Sequence, residues 1–222
     1  MKLKITAFII TAILMSCNPS DNKVPTQEKI KIAETETNEA STESNKELKT
    51  IDSDEALIAT ALLACPEESR AEAKVIGYNM AGEFVTLREG TNEFIVLADD
   101  PKKDGFSAAC YHKDLEPFMA RGRALKAEGK KYQEIFDIRK EEMKSGKLSI
   151  TTGATLHIYY GGKTEYDTET FEVEGAKLRY VVYMPYATAE STGLPETPIA
   201  PNHPWIMNPG THRAHIMISP KP

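Results

Sequence analysis

The 222-residue chain has only three cysteines, one tryptophan and no long apolar segment. Its longest largely apolar stretch, residues 5–15, is too short to span a bilayer, because a transmembrane helix needs about 20 apolar residues. His-Glu-x-x-His, paired Cys-x-x-Cys motifs and a glycine-rich phosphate loop are also absent. The sequence therefore carries no strong signature of a metal centre or a phosphate site, and no recognisable catalytic motif.

Positive charge is scarce as well. The chain has 27 lysines and arginines against 33 aspartates and glutamates, which gives a formal net charge of −6. A nucleic-acid surface needs clustered lysine and arginine, whereas the basic residues here are interspersed with acids. The composition therefore argues against a nucleic-acid partner.

The N-terminus carries the clearest pattern in the chain. Two lysines precede the apolar stretch, and the small residue Ser16 stands before Cys17. The motif Leu14-Met15-Ser16-Cys17 resembles the lipobox of bacterial lipoprotein precursors. That resemblance implies that residues 1–16 are a signal peptide removed by signal peptidase II, and that Cys17 is diacylated and then acylated at its new amino terminus.

The same resemblance implies a location in the bacterial cell envelope, with the membrane bound through the lipid on Cys17. Asn18 follows the cysteine, whereas an aspartate there favours inner-membrane retention in the lipoproteins it resembles, so we expect the outer membrane. Removing the leader takes away two lysines and leaves a net charge of about −8. The acyl chains would therefore supply the attachment, at roughly 0.8 kcal/mol per buried methylene.

Cys65 and Cys110 remain as an even pair in an oxidising compartment, which predicts a disulfide. It would close a loop of roughly 45 residues and contribute about 3 to 4 kcal/mol. The alternative makes Cys110 a nucleophile activated by His112. We favour the disulfide, because an exposed low-pKa thiol would be oxidised outside the cytoplasm.

Composition divides the mature chain into a linker and one domain. Residues 17–50 are rich in Asn, Ser, Thr, Glu and Lys and contain few large aliphatic residues, so they predict a disordered tether. Residues 51–222 are long enough to form a single domain with its own core.

Apolar spacing predicts three helices in this domain. The first covers residues 54–64, and the second begins near Asp114, which we expect to cap it, and ends at Gly129. The third follows at once and ends at Gly146, and the two form a helical hairpin. Its periodic positions are Tyr132, Ile135, Phe136, Arg139 and Met143.

Strand patterns lie on both sides of the helical segment. Residues 74–78, 83–88 and 93–98 predict a three-stranded antiparallel meander, and residues 154–160, 177–184 and 212–219 predict three further strands. This order predicts an α+β fold with a mostly antiparallel sheet and a helical hairpin.

The C-terminal third contains prolines at a spacing of three: Pro195, Pro198, Pro201 and Pro204. That is the period of a polyproline II helix, which would place all four rings along one edge. We interpret the segment as an extended surface stretch packed through Ile199 and Trp205, with a docking site for a partner as the alternative. Trp205 is either an anchor for this loop or the floor of a ligand pocket.

His203, His212 and His215 are close in sequence, and imidazole is a common ligand for zinc, copper and iron. In a strand, His212 and His215 would face opposite sides, and only a turn at residues 209–211 would bring them together. Ordinary hydrogen-bonded histidines are the favoured interpretation, no cofactor is predicted, and the identity of any metal stays unknown.

Two charged segments have similarly plain interpretations. Arg121 and Arg123 flank Gly122 and could together bind an anion. Residues two apart on a helix do not share a side, however, so we favour a solvated helix face. Residues 99–105 carry the charge of a cation-binding loop without the ligand pattern of a calcium hand, and they predict a turn.

Residues 109–119 and 209–215 are similar to segments of uncharacterised exported bacterial proteins, a resemblance that implies no activity. We expect a non-enzymatic, lipid-anchored envelope protein that binds a small molecule or an envelope protein near residues 195–215. We assign no catalytic residue. The candidate ligand-binding residues are His112, His203, Trp205, His212, Arg213 and His215.

The alternative is a metal-assisted or histidine-based hydrolase that gathers His112 and the C-terminal histidines. Glu116 or Asp114 would then serve as general base. This alternative requires the helix start near His112 to pack against the C-terminal strand.

Overall fold

Ten strands and four α-helices make up the fold in the computed structural model, which describes residues 47–220. The strands are β1 (Leu48–Thr50), β2 (Lys74–Tyr78), β3 (Phe84–Arg88), β4 (Phe94–Leu97), β5 (Phe106–His112), β6 (Thr155–Gly161), β7 (Glu165–Asp167), β8 (Lys177–Tyr183), β9 (Trp205–Met207) and β10 (His215–Ile218). The helices are α1 (Asp54–Leu62), α2 (Glu116–Ala127), α3 (Tyr132–Lys144) and α4 (Ala189–Thr192). Short 3-10 turns cover Glu67–Ser69 and Lys113–Leu115.

Eight of these strands form one sheet in the order β3-β2-β4-β5-β6-β8-β10-β9, and β1 pairs with β7 in a separate two-stranded sheet. All neighbours in the large sheet are antiparallel except β2 and β4. The predicted α+β class with a mostly antiparallel sheet is therefore confirmed.

Each face of the sheet is covered by a different helical element, which gives two cores. Along β5, Phe106, Ala108 and Cys110 belong to the core that contains α1, which we call the α1 face. Tyr111, the next residue, belongs to the core that contains Phe118 of α2, which we call the hairpin face. This division follows from the period of two in a strand.

The predicted helical hairpin is confirmed as α2 and α3, joined through Gly129 at φ +80°. Glu134 accepts a hydrogen bond from the backbone of Lys131 at the start of α3. The predicted capping role of Asp114 is wrong. His112 accepts from the Asp114 amide through Nδ1 at 3.2 Å, and Leu115 precedes α2 without a side-chain cap.

The predicted meander is wrong, because β2 lies between β3 and β4 and pairs with β4 in parallel. The loop from β3 to β4 must therefore cross the start of β2, and it does so at Gly90. A β-carbon on Gly90 would lie 2.2 Å from the Lys74 backbone nitrogen, so only glycine fits there.

Strand β5 was not predicted. It lies inside the sheet between β4 and β6, yet its centre is Ser-Ala-Ala-Cys, a composition with weak strand preference. Small side chains suit this position, because β5 is packed on both faces: Ala108 and Cys110 are almost fully buried on one side and Tyr111 on the other.

The C-terminal prolines do not form one polyproline helix. His203 donates its amide hydrogen to the Ala200 carbonyl at 3.2 Å, and Asn202 has φ +61°, so a tight turn interrupts the series at Pro201. At the other end, Leu48–Thr50 lies in the predicted linker but pairs with β7. The lipobox, Cys17 and the rest of the linker up to residue 46 lie outside the described residues.

Candidate functional site

The turn between β9 and β10 places two of the predicted residues, His212 and Arg213, against the helical hairpin. Thr211 fixes this turn, since its hydroxyl donates to the Asn208 carbonyl at 2.7 Å. The predicted strand over residues 212–219 begins only at His215. His212 therefore lies before the strand, so the alternation of side chains along a strand does not set its direction. Its ring lies among the aromatic rings of the hairpin.

His212 is fully buried between two phenylalanines. Its ring centroid lies 4.7 Å from that of Phe136 on α3 and 6.2 Å from that of Phe118 on α2. Neither ring nitrogen has a hydrogen-bond partner among the described residues. Burial, followed by the charges of Arg139 and Arg213, lowers the pKa of His212 to about 4. The imidazole is therefore neutral at pH 7.

Arg139 on α3 is the second member of the site and is only 8% exposed. Its guanidinium carbon lies 4.1 Å from the Phe118 ring centroid, and its Nη1 donates to the Phe118 carbonyl at 3.3 Å. The Nε has no partner in the described part of the chain. Burial, and next the charge of Arg213, lowers the pKa of Arg139 to about 10.

Gly122 on α2 makes room for this guanidinium. A β-carbon at that position would lie 2.9 Å from Nη1 of Arg139, closer than such contacts normally come. The flanking residues Arg121 and Arg123 do not join the site. Arg121 pairs with Glu142 at 3.0 Å, and Arg123 pairs with Glu116 at 2.5 Å, so both have acidic partners.

Arg213 completes the group. Its guanidinium carbon lies 5.6 Å from the Tyr132 ring and 5.9 Å from the Phe136 ring, and its Nε is buried without a partner. We refer to Arg139, His212 and Arg213 as the arginine–histidine cluster. Aromatic side chains of α2, α3 and β8 surround it: Phe118, Tyr132, Phe136 and Tyr183.

No carboxylate of residues 47–220 forms an ion pair with the cluster. Neither Arg139 nor Arg213 takes part in a salt bridge within residues 47–220. The nearby acids are engaged elsewhere, Glu142 by Arg121 and Asp137 by Gln133 at 3.1 Å. The positive charges of the cluster repel each other and meet no acid at contact distance.

The cluster also holds most of the unsatisfied polar atoms of the described chain. Five buried side-chain atoms lack a hydrogen-bond partner there, and four belong to these three residues. The fifth is Nε of Arg179, whose guanidinium already donates to the Tyr160 hydroxyl at 2.6 Å. Such atoms are rare in native proteins and call for an explanation.

The other predicted residues near the C-terminus have structural contacts. His215 is buried and its Nδ1 lies 2.7 Å from the Arg213 carbonyl, while Nδ1 of His203 lies 2.7 Å from the Pro204 carbonyl. Trp205 begins β9 and packs into the core of the hairpin face, 6.0 Å from the Arg179 guanidinium. These contacts agree with an anchoring role for Trp205.

His112 is not brought to the other histidines. It lies at the end of β5, 3.8 Å from Glu93 and 3.5 Å from Asp114. Strands β6 and β8 separate β5 from β10, which at about 4.8 Å per step amounts to roughly 14 Å. Among residues 47–220, no three His, Cys, Asp or Glu side chains are grouped closely enough to hold a metal ion.

Cys65 and Cys110 are in contact on the α1 face, but both are free thiols, so the predicted disulfide is not present in the structure. Both thiols are reduced in the structure. A disulfide between them in the exported protein stays a prediction. The hydrogen bond between them lowers the pKa of Cys65 and raises that of Cys110, and burial raises Cys110 further. A buried thiol with a raised pKa is a poor nucleophile.

A groove of about 910 Å³ lies elsewhere, beside residues 172–178. Two of its tyrosine hydroxyls have partners within the protein: that of Tyr159 accepts from the Val173 amide at 3.0 Å, and that of Tyr160 accepts from Arg179. The groove lining contains none of the three residues of the cluster.

The chain matches no protein-family model, and no curated protein or solved structure is significantly similar to it. Within the described residues, no helix is both long enough and apolar enough to cross a membrane. Function must therefore be inferred from the chemistry of the site.

Proposed function

We propose that this chain is a lipid-anchored protein of the bacterial cell envelope whose domain binds a ligand at the arginine–histidine cluster without chemical turnover. The anchor is supported by the lipobox and by the polar linker that follows it. The outer membrane is the expected location.

The observation that carries the binding role is the set of unpaired polar atoms around His212. Each buried donor or acceptor without a partner costs about 1 to 3 kcal/mol. A fold that keeps four of them in one place, next to two like charges, gives up stability there. A bound ligand that supplies the missing partners would recover that free energy.

A binding role suits the cluster better than catalysis. A general base works best with a pKa near the working pH, whereas the pKa of His212 is about 4. In the described residues, no side chain forms a hydrogen bond with its ring to fix one tautomer. Glu116, the proposed base of the hydrolase alternative, instead accepts hydrogen bonds from Arg123 and Tyr111.

Fractionation and native mass spectrometry of the full chain test both parts of the proposal. The processed protein should enter the outer-membrane fraction with the mass of a triacylated cysteine, and Cys17→Ser should abolish lipidation and processing. The detergent-solubilised lipoprotein, incubated with a small-molecule extract of the envelope, should gain an adduct that Arg139→Met removes. Unmodified Cys17 would refute the anchor, and absence of any adduct would refute the binding role.

A further inference from the structure

We infer that the arginine–histidine cluster binds the carboxylate of a small organic acid that carries an apolar or aromatic body. This inference rests on the proposed binding function and specifies the chemical class of its ligand.

The sign of the charge follows from the two arginines. Burial lowers the pKa of Arg139 and the nearby charge of Arg213 lowers it further, while no acid of the described chain contacts either guanidinium. An anion between them would replace repulsion by two attractions. Each guanidinium has an unused Nε, and a guanidinium fork matches the two oxygens of a carboxylate.

The surroundings favour a single negative charge on a flat group. Phe118 packs on Arg139, while Phe136 and the largely exposed Tyr132 lie beside Arg213; these rings stack well on apolar matter but cannot replace the water around a dianion. Phosphate sites typically use a glycine-rich loop or a helix N-terminus, and Arg139 lies well inside α3. A carboxylate is therefore favoured over phosphate.

His212 adds selectivity for a second polar group. Its neutral ring has one donor and one acceptor nitrogen, both unpaired and fully buried. One can donate to the carboxylate, and the other can accept from a hydroxyl or amide hydrogen of the ligand. The room that Gly122 leaves for Arg139 completes a site built from α2, α3 and the β9–β10 turn.

Isothermal titration of the detergent-solubilised lipoprotein at constant ionic strength tests the inference, with sodium benzoate, acetate, phosphate and chloride as probes. We expect saturable binding of benzoate at one site, weaker binding of acetate, and none of phosphate or chloride. Arg139→Met and Arg213→Met should each weaken benzoate binding roughly ten-fold or more. Arg139→Lys, which keeps the charge but loses the fork, should also weaken it.

Arg179→Met is the matched control. Arg179 is likewise packed on a ring, 4.6 Å from the Tyr160 centroid, but lies outside the cluster, so this change should leave benzoate affinity unaltered. Circular dichroism shows whether each variant folds. If Arg139→Met does not fold, the benzoate affinity of Arg213→Met tests the inference instead, because Arg213 is only partly buried.

Three results would overturn the inference: no benzoate binding, equal binding of phosphate or chloride, or full benzoate affinity in the Arg213→Met variant. An extract ligand that is lost in Arg139→Met but is not an acid would overturn it while leaving the proposed binding function intact. Absence of every adduct would instead remove the binding function itself.

Discussion

The core of the α1 face contains aliphatic side chains, rings and two thiols, whereas the hairpin face adds buried guanidinium groups packed on its rings. Both regions are well buried, but their polar atoms differ. The thiols of the α1 face satisfy each other, while the cluster of the hairpin face keeps four atoms unpaired. This difference fits the proposed function, in which the α1 face stabilises the domain and the hairpin face gives up stability for binding.

The largest expected effect concerns the α1 face. In protein exported to an oxidising compartment, Cys65 and Cys110 should form a disulfide, and reduction should lower the free energy of unfolding by about 3 to 4 kcal/mol. Urea unfolding with and without reductant measures this difference. A mass lower than that of the reduced chain by two hydrogens would identify the bond, and Cys65→Ala with Cys110→Ala should lose the response to reductant.

The next largest effect concerns pH on the hairpin face. Because the folded pKa of His212, about 4, lies below its unfolded value, the unfolded chain binds the proton first as pH falls. The contribution of His212 to stability should fall between about pH 6.5 and pH 4, by up to about 3 kcal/mol, and change little below pH 4. Burial lowers the pKa of His215 and adds to the same trend.

His212→Leu should flatten this part of the pH profile, and His112→Gln, at a half-buried histidine outside the cluster, serves as its control. Urea unfolding at pH 7 and pH 4.5 gives the comparison. Equal pH dependence in wild type and His212→Leu would show that the ring is hydrated or paired in solution.

A smaller effect, an increase in the free energy of unfolding, is expected from substitution of Arg139. Methionine there removes a buried charge whose pKa is lowered to about 10, and also one hydrogen bond and the contact with the Phe118 ring. Replacing buried charge by an apolar side chain is often neutral or stabilising. We expect Arg139→Met to gain about 1 to 2 kcal/mol in urea unfolding without ligand, whereas a loss of similar size would indicate a structural arginine.

The smallest effect should arise near the groove, at the Tyr160 hydroxyl. Tyr160→Phe removes the hydrogen bond from Arg179 and should cost about 0.5 to 1 kcal/mol in thermal unfolding. Benzoate affinity should stay at the wild-type value. A change in that affinity would mean that the groove and the cluster are coupled.

Local patterns in the sequence predicted three of the four helices and six of the ten strands of the described residues, but not how the strands pair. The α2–α3 hairpin follows from apolar spacing and two glycines, whereas the parallel pairing of β2 with β4 depends on a close backbone approach at Gly90. Strand β5 was missed because its small residues owe their conformation to neighbours on both sides.

The site was only half predictable for the same reason. His212 and Arg213 stood out as a C-terminal cluster, but Arg139 belongs to a distant helix and joins them only through tertiary packing. One signal was present: Arg139 occupies an apolar position in the spacing of α3, next to Phe136 and Met143 on the same face. A charged residue at such a position is a useful marker of buried polar chemistry.

Strand β1 determines how the domain would respond to a pull from the proposed membrane anchor. The first strand of the described residues is Leu48–Thr50, three exposed residues held by pairing with β7, and a pull from the proposed anchor on the N-terminal end of this strand would act on that pairing. Peeling this strand away would lengthen the connection by about 10 Å while Ile51, the first buried residue, stays in the core. The strand would then act as an extensible link that absorbs a pull before it reaches the core and the ligand site.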